Sequence, residues 1–111
     1  MVLFFLLTLP SVTLSNKEFP WLSYRDIEIG MCPVRALRVA YTGELGWELH
    51  HPIEMQNYLL DILLSSGEEF NLKLVGARAQ NWLRQEKSYK AFGSDLGRDA
   101  GPFESNLSRF V

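Results

Sequence analysis

Between Tyr41 and Pro52 the chain reads YTGELGWELHHP. Twelve residues hold two glycines, two carboxylates, two aromatic rings and two histidines. Glu44 and Glu48 are four apart. A carboxylate beside glycines, which let a backbone come close to a ligand, can accept two N–H bonds from a flat heterocycle carrying an amino group next to a ring N–H. The competing reading is a pair of solvated carboxylates at a turn. Arg78, further along, could hold an anionic ligand tail or pair with a carboxylate; it could equally be a solvated helix arginine. His50 and His51 are neighbours, so on a strand they point to opposite faces and do not chelate one ion. No metal-ligand spacing, P-loop or dinucleotide glycine fingerprint occurs, and Gly93, Gly97 and Gly101 read as turn glycines.

These residues need elements to position them. RDIEIG (25–30) alternates polar and apolar, as a half-buried strand does. GMCP turns the chain, and VRALRVAY (34–41) is again strand-like, so the two form a hairpin. TGELG (42–46) is a turn. WELHH (47–51) is a third strand, with Trp47, Leu49 and His51 on one face and Glu48 and His50 on the other. Pro52 opens a helix whose apolar stripe is Ile53, Leu59, Leu60, Leu63 and Leu64, and Gly67 stops it. EEFNLKL (68–74) is a connector. A second helix covers 75–89, with Ala79, Trp82, Leu83 and Glu86 on one face. Residues 91–111 are loop. The order predicts an α+β fold: an antiparallel sheet with helices packed on one face.

The chain has 111 residues, a net charge of −2, 47% hydrophobic and 22% charged residues. One domain is expected, able to hide roughly two thirds of its unfolded surface. The charge argues against a nucleic-acid partner. Cys32 is the sole cysteine, which rules out an internal disulfide and reads as a structural, half-buried thiol. The apolar start MVLFFLLTLP is too short to span a bilayer, and no basic residue precedes Lys17, so it lacks the charged start of a signal peptide. No membrane partner is expected.

RALRVAYTGELGWELHHP, followed by GARAQNWLRQEKSYKAFGSDLGRDAGPFESNLSRFV, resembles the tetrahydrofolate-binding aminomethyltransferase domain. That domain occurs in the T-protein of the glycine cleavage system and in the C-terminal half of the dimethylglycine and sarcosine dehydrogenases. LSNKEFPW and PVRALRV fit the same family, and GELGWEL and LRQEK lean toward the dehydrogenase branch. The resemblance runs from about Leu14 onward. It implies a folate pocket in which a one-carbon unit passes from an amine to tetrahydrofolate. It further implies that Tyr41 and Glu48 lie at the pterin and that Arg78 contacts folate. Glu44 belongs to the same motif and is included with the cofactor-binding residues, in the part of a turn carboxylate; Arg84 and Glu86 would form a helix ion-pair set.

No catalytic residue is assigned. The family's catalytic aspartate lies upstream, and nothing before Tyr24 matches it. The expectation is therefore that residues 1–111 are a partial folate-binding domain, with 1–13 an apolar leader or a remnant of the preceding segment. Such a piece would present half a pocket and would associate with the rest of the enzyme or another chain. FAD enters only if a separate domain carries it. Localisation is mitochondrial by family analogy in a eukaryote, and cytoplasmic otherwise. The alternative on the same fold is a non-catalytic regulatory or interaction protein.

Overall fold

The computed structural model describes residues 14–111. The expectation of an apolar leader or remnant at 1–13 lies outside the described residues. The chain divides into two units, one running to Ala40 and resuming at Glu44–Val75, the other made of Tyr41–Gly43 and Gly76–Val111.

In the first unit, strands β1 (Tyr24–Ile29), β2 (Cys32–Leu37) and β3 (Glu48–His50) form an antiparallel sheet in that order. The expected hairpin is present. Its two-residue turn begins with Gly30 at φ +60°, a conformation glycine adopts without steric penalty. β2 starts earlier than the pattern suggested and contains Pro33. β3 pairs only with Arg35–Leu37, so at Pro33 β1 alone flanks the strand. A proline is tolerated there because its missing N–H leaves no second ladder unsatisfied. β2 also ends sooner, at Leu37, because the backbone of Arg38 bonds elsewhere: its N–H donates to Ser23 O (2.9 Å) and its carbonyl accepts from Leu22 N (3.2 Å).

Alternation along β2 buries Cys32, Val34 and Ala36 against helix α1 (Gln56–Gly67), which a short 3₁₀ turn at Ile53–Met55 precedes. Phe19, Ile29 and Cys32 are fully buried, and Leu14, Trp47 and Leu59 complete the core. Phe19 meets Trp47 edge to face, centroids 6.1 Å apart. Each such buried side chain contributes about 1.5–3 kcal/mol. Arg38 holds the 15–20 turn against this core: its guanidinium donates to Phe19 O and Asn16 Oδ1 and lies 5.9 Å from the Trp47 ring centroid.

The buried stripe of α1 differs from the expected one. Leu59 is buried, with Met55, Tyr58, Ile62 and Leu63 packed beside it, while Ile53, Leu60 and Leu64 are exposed. Tyr58 decides the helix's rotation. Its hydroxyl accepts the Met31 N–H (3.1 Å), tying α1 to the hairpin turn. Gly67 is the last helical residue, and the left-handed reversal comes later, at Asn71 (φ +55°).

The second unit contains helix α2 (Ala77–Glu86) and the chain that follows, ending in a 3₁₀ turn at Ser108–Phe110. The expected apolar face of α2 is not buried: Ala79 and Trp82 are exposed, Trp82 by 69%. The buried helix residue is Arg84, 3% exposed. It donates through Nε to Asn81 Oδ1 (2.8 Å) and through a terminal nitrogen to Tyr89 O (2.7 Å) and Asp95. Its partner is therefore Asp95 rather than Glu86. A charge held by three acceptor contacts organises this unit where an apolar stripe was expected.

Candidate functional site on the outer face of the sheet

The two-residue period of a strand sends Glu48 and His50 outward from β3 while Leu49 faces the core. They form a half-exposed pair, His50 Nε2 to Glu48 Oε2 3.5 Å. The register extends this face across the sheet in two rows. One row is Tyr24, Leu37 and Glu48; the other is Asp26, Arg35 and His50. Arg35 donates to both oxygens of Asp26, from Nε at 2.8 Å and a terminal nitrogen at 3.1 Å, and its guanidinium lies 5.0 Å from the Tyr24 ring centroid. The hydrogen bond from Arg35 holds the Asp26 carboxyl below its usual range, and Asp26 in turn raises Arg35. An open groove of about 900 Å³ runs over this face, lined by Asp26, Glu28, Pro33, Arg35, Leu37 and His50 among others.

Glu48 stands next to that groove, flanked by Leu37 across the ladder and by His50 two residues along. A half-exposed carboxylate is an acceptor able to take two parallel N–H bonds. Arg35 and Asp26 occupy each other, so they give the groove a polar floor rather than a second acceptor. His51 also borders the groove, and its Nδ1 contacts Pro52 O at 2.9 Å. The described residues contain no group of three His, Cys, Asp or Glu that could hold a metal ion.

The four sequence-predicted residues divide between the units. Glu48 and Glu44 belong to the first, and Glu44 is exposed with an interaction of its own. Tyr41 and Arg78 belong to the second. The Tyr41 hydroxyl donates to Lys90 O (2.9 Å), so its proton is already committed, while the ring stays partly exposed. Arg78 is exposed in the first turn of α2. Sequence reasoning missed His50 as the partner of Glu48, although a two-residue spacing on one strand was signal enough. It also missed the Asp26–Arg35 pair, which only the strand register reveals.

Cys32 is fully buried, and burial pushes its thiol up, away from the reactive thiolate. It is structural, as its apolar setting suggested. Among the described residues no helix is long and apolar enough to cross a membrane.

Comparison with known proteins adds a further set of findings. The sequence profile of the GCVT N-terminal domain matches residues 6–111. The chain is 39% identical to "Dimethylglycine dehydrogenase, mitochondrial" of Homo sapiens over 93% of its own length and 12% of that protein's. It is 35% identical to "Sarcosine dehydrogenase, mitochondrial" of Homo sapiens over 86% of this chain and 10% of that protein. It is 38% identical to an aminomethyltransferase of Caldanaerobacter subterraneus subsp. tengcongensis over 67% of this chain and 20% of that one. The chain thus spans about an eighth of the length of the first of these relatives.

Proposed function

The chain belongs to the GCVT N-terminal domain family, and on that footing we propose that it is the tetrahydrofolate-binding portion of a one-carbon transfer enzyme of the dimethylglycine/sarcosine dehydrogenase or aminomethyltransferase type. The observation that carries the reading is Glu48, a half-exposed carboxylate on an open sheet face beside a groove of about 900 Å³. A pterin edge carries an amino group next to a ring N–H, the donor pair such a carboxylate accepts. Leu37, Pro33 and the Arg35-stacked Tyr24 supply flat apolar surface on the same face.

Tetrahydrofolate, when bound, would supply two nitrogens, one in the pterin ring and one just outside it, that take up the one-carbon unit. The task this reading gives the chain is to orient the pterin through Glu48; Tyr41 and Arg78 are the further folate-binding residues that the family resemblance implies. FAD would be held by a domain of such an enzyme outside this chain. Ile53 on the first unit and Trp82 and Phe92 on the second are exposed apolar side chains, which supports association with the remainder of an enzyme of this kind. In a eukaryote the site of action would be the mitochondrion, as the names of the two human relatives say of those proteins.

Anaerobic calorimetry of tetrahydrofolate against the purified chain tests this. Wild-type binding is expected to weaken about tenfold or more in Glu48→Ala, the loss of a charge-assisted bidentate contact. A folded wild-type chain that binds no tetrahydrofolate, or a Glu48→Ala variant that binds as tightly, would overturn the reading.

A further inference from the structure

The second unit contains a cleft that the folate reading does not use. It measures about 550 Å³ and is lined by Lys87, Ser88, Lys90, Asn106, Ser108 and Arg109, with Tyr89 and Leu107 between them. No lining residue is acidic. Three side chains are cationic and most of the others carry a hydroxyl or amide donor. That inventory suits an anion and offers a cation no carboxylate. The volume lies within the range of small-molecule pockets.

Both walls are held in place by hydrogen bonds. On one side, Arg84 donates to Tyr89 O (2.7 Å) and the Tyr41 hydroxyl to Lys90 O (2.9 Å). Ser88, at φ +60°, turns the chain out of α2 so that Lys87 and Lys90 border one cleft. On the other side, Asn106 N donates to Phe103 O (3.0 Å) and Leu107 N to Pro102 O (2.7 Å). A pre-formed wall avoids ordering costs when a ligand arrives.

Lys90 acts on Asp95, but that carboxylate already accepts from Ala91 N (2.9 Å) and from Arg84. Lys87 and Arg109 have interactions of their own, which a ligand would join or replace.

We infer that this cleft is a binding site for a compact oligoanion, a small molecule bearing two or more carboxylate or phosphate groups. The cleft shares no residue with the groove beside Glu48 and does not depend on the folate reading.

The full chain is titrated by calorimetry with pyrophosphate and, separately, with citrate, at low and at moderate salt. Binding of either, weakening as salt rises, is the expected result. Pyrophosphate alone would identify a phosphate ligand, citrate alone a carboxylate ligand, and both would indicate recognition of charge. Lys90→Gln and Arg109→Gln should each weaken binding about tenfold. Arg98→Gln, an exposed cation of the same unit outside the cleft, should not. Amide shifts mapped on the wild type should fall at 87–90 and 106–109, which keeps the test independent of whether a variant folds. No binding of either anion, shifts elsewhere, or an equal loss in Arg98→Gln would overturn the inference. Loss of tetrahydrofolate binding with anion binding intact would count against the folate reading alone.

Discussion

Asp95 shows how much one side chain can organise. Its carboxylate accepts from the Ala91 N–H and from Arg84, whose guanidinium is almost wholly buried. The Ala91 N–H, Arg84 and Lys90 hold the Asp95 carboxyl below its usual range. A carboxyl whose folded value is lowered adds stability above its unfolded value, near 4, and loses it as pH falls through the lower folded one. Melting temperature should therefore drop as pH falls below about 4, and Asp95→Asn should lower it at neutral pH while flattening that part of the profile. A variant with an unchanged acid profile would remove Asp95 from this role. The Asp26–Arg35 pair has the same sign but stands in solvent, where screening leaves little net effect.

Among the elements, the β1–β2 turn and α1 meet closely at Gly30, beside the core that β2 and α1 share. Gly30 has φ +60°, and a Cβ there would fall 2.5 Å from the Tyr58 hydroxyl oxygen and 2.7 Å from Ile62 Cδ1. Gly30→Ala thus meets both backbone strain and a clash with the helix that caps the turn. It should cost about 1–3 kcal/mol, more than an alanine at an unstrained turn glycine would. Tyr58→Phe removes only the bond from Met31 N and should cost about 1 kcal/mol. Urea denaturation of both variants tests this. If Gly30→Ala proved neutral, the turn would not be what orients α1.

At the scale of the molecule, the two units rest on different physics. The first closes around Phe19, Ile29, Cys32 and Trp47. In the second, Arg84 and Ser105 are the buried residues among those described. Apolar burial resists local opening better than a solvent-accessible polar network does. Hydrogen exchange should accordingly protect the amides of Val34–Leu37 more strongly than those between Ala91 and Leu107, with the gap widening in acid as Asp95 protonates. Equal protection of the two regions would refute that division.

Periodicity alone determined a good deal. The alternation in RDIEIG and WELHH placed the strands and their faces, so Glu48 and His50 point outward and Trp47 and Leu49 inward, as the structure bears out. The spacing of leucines placed α1, and the motif pair around YTGELGWEL and GARAQNWLRQEK marked the family. What periodicity could not decide was every choice that depends on a distant partner. Tyr58, bonding a turn 27 residues away, rotated the buried stripe of α1. Asp95 drew Arg84 inward and left Trp82 outside. The register of β2 brought Asp26, Arg35 and His50 into one row. Such outcomes are competitions between long-range polar contacts and local apolar preference, and a local pattern has no term for the contact that wins.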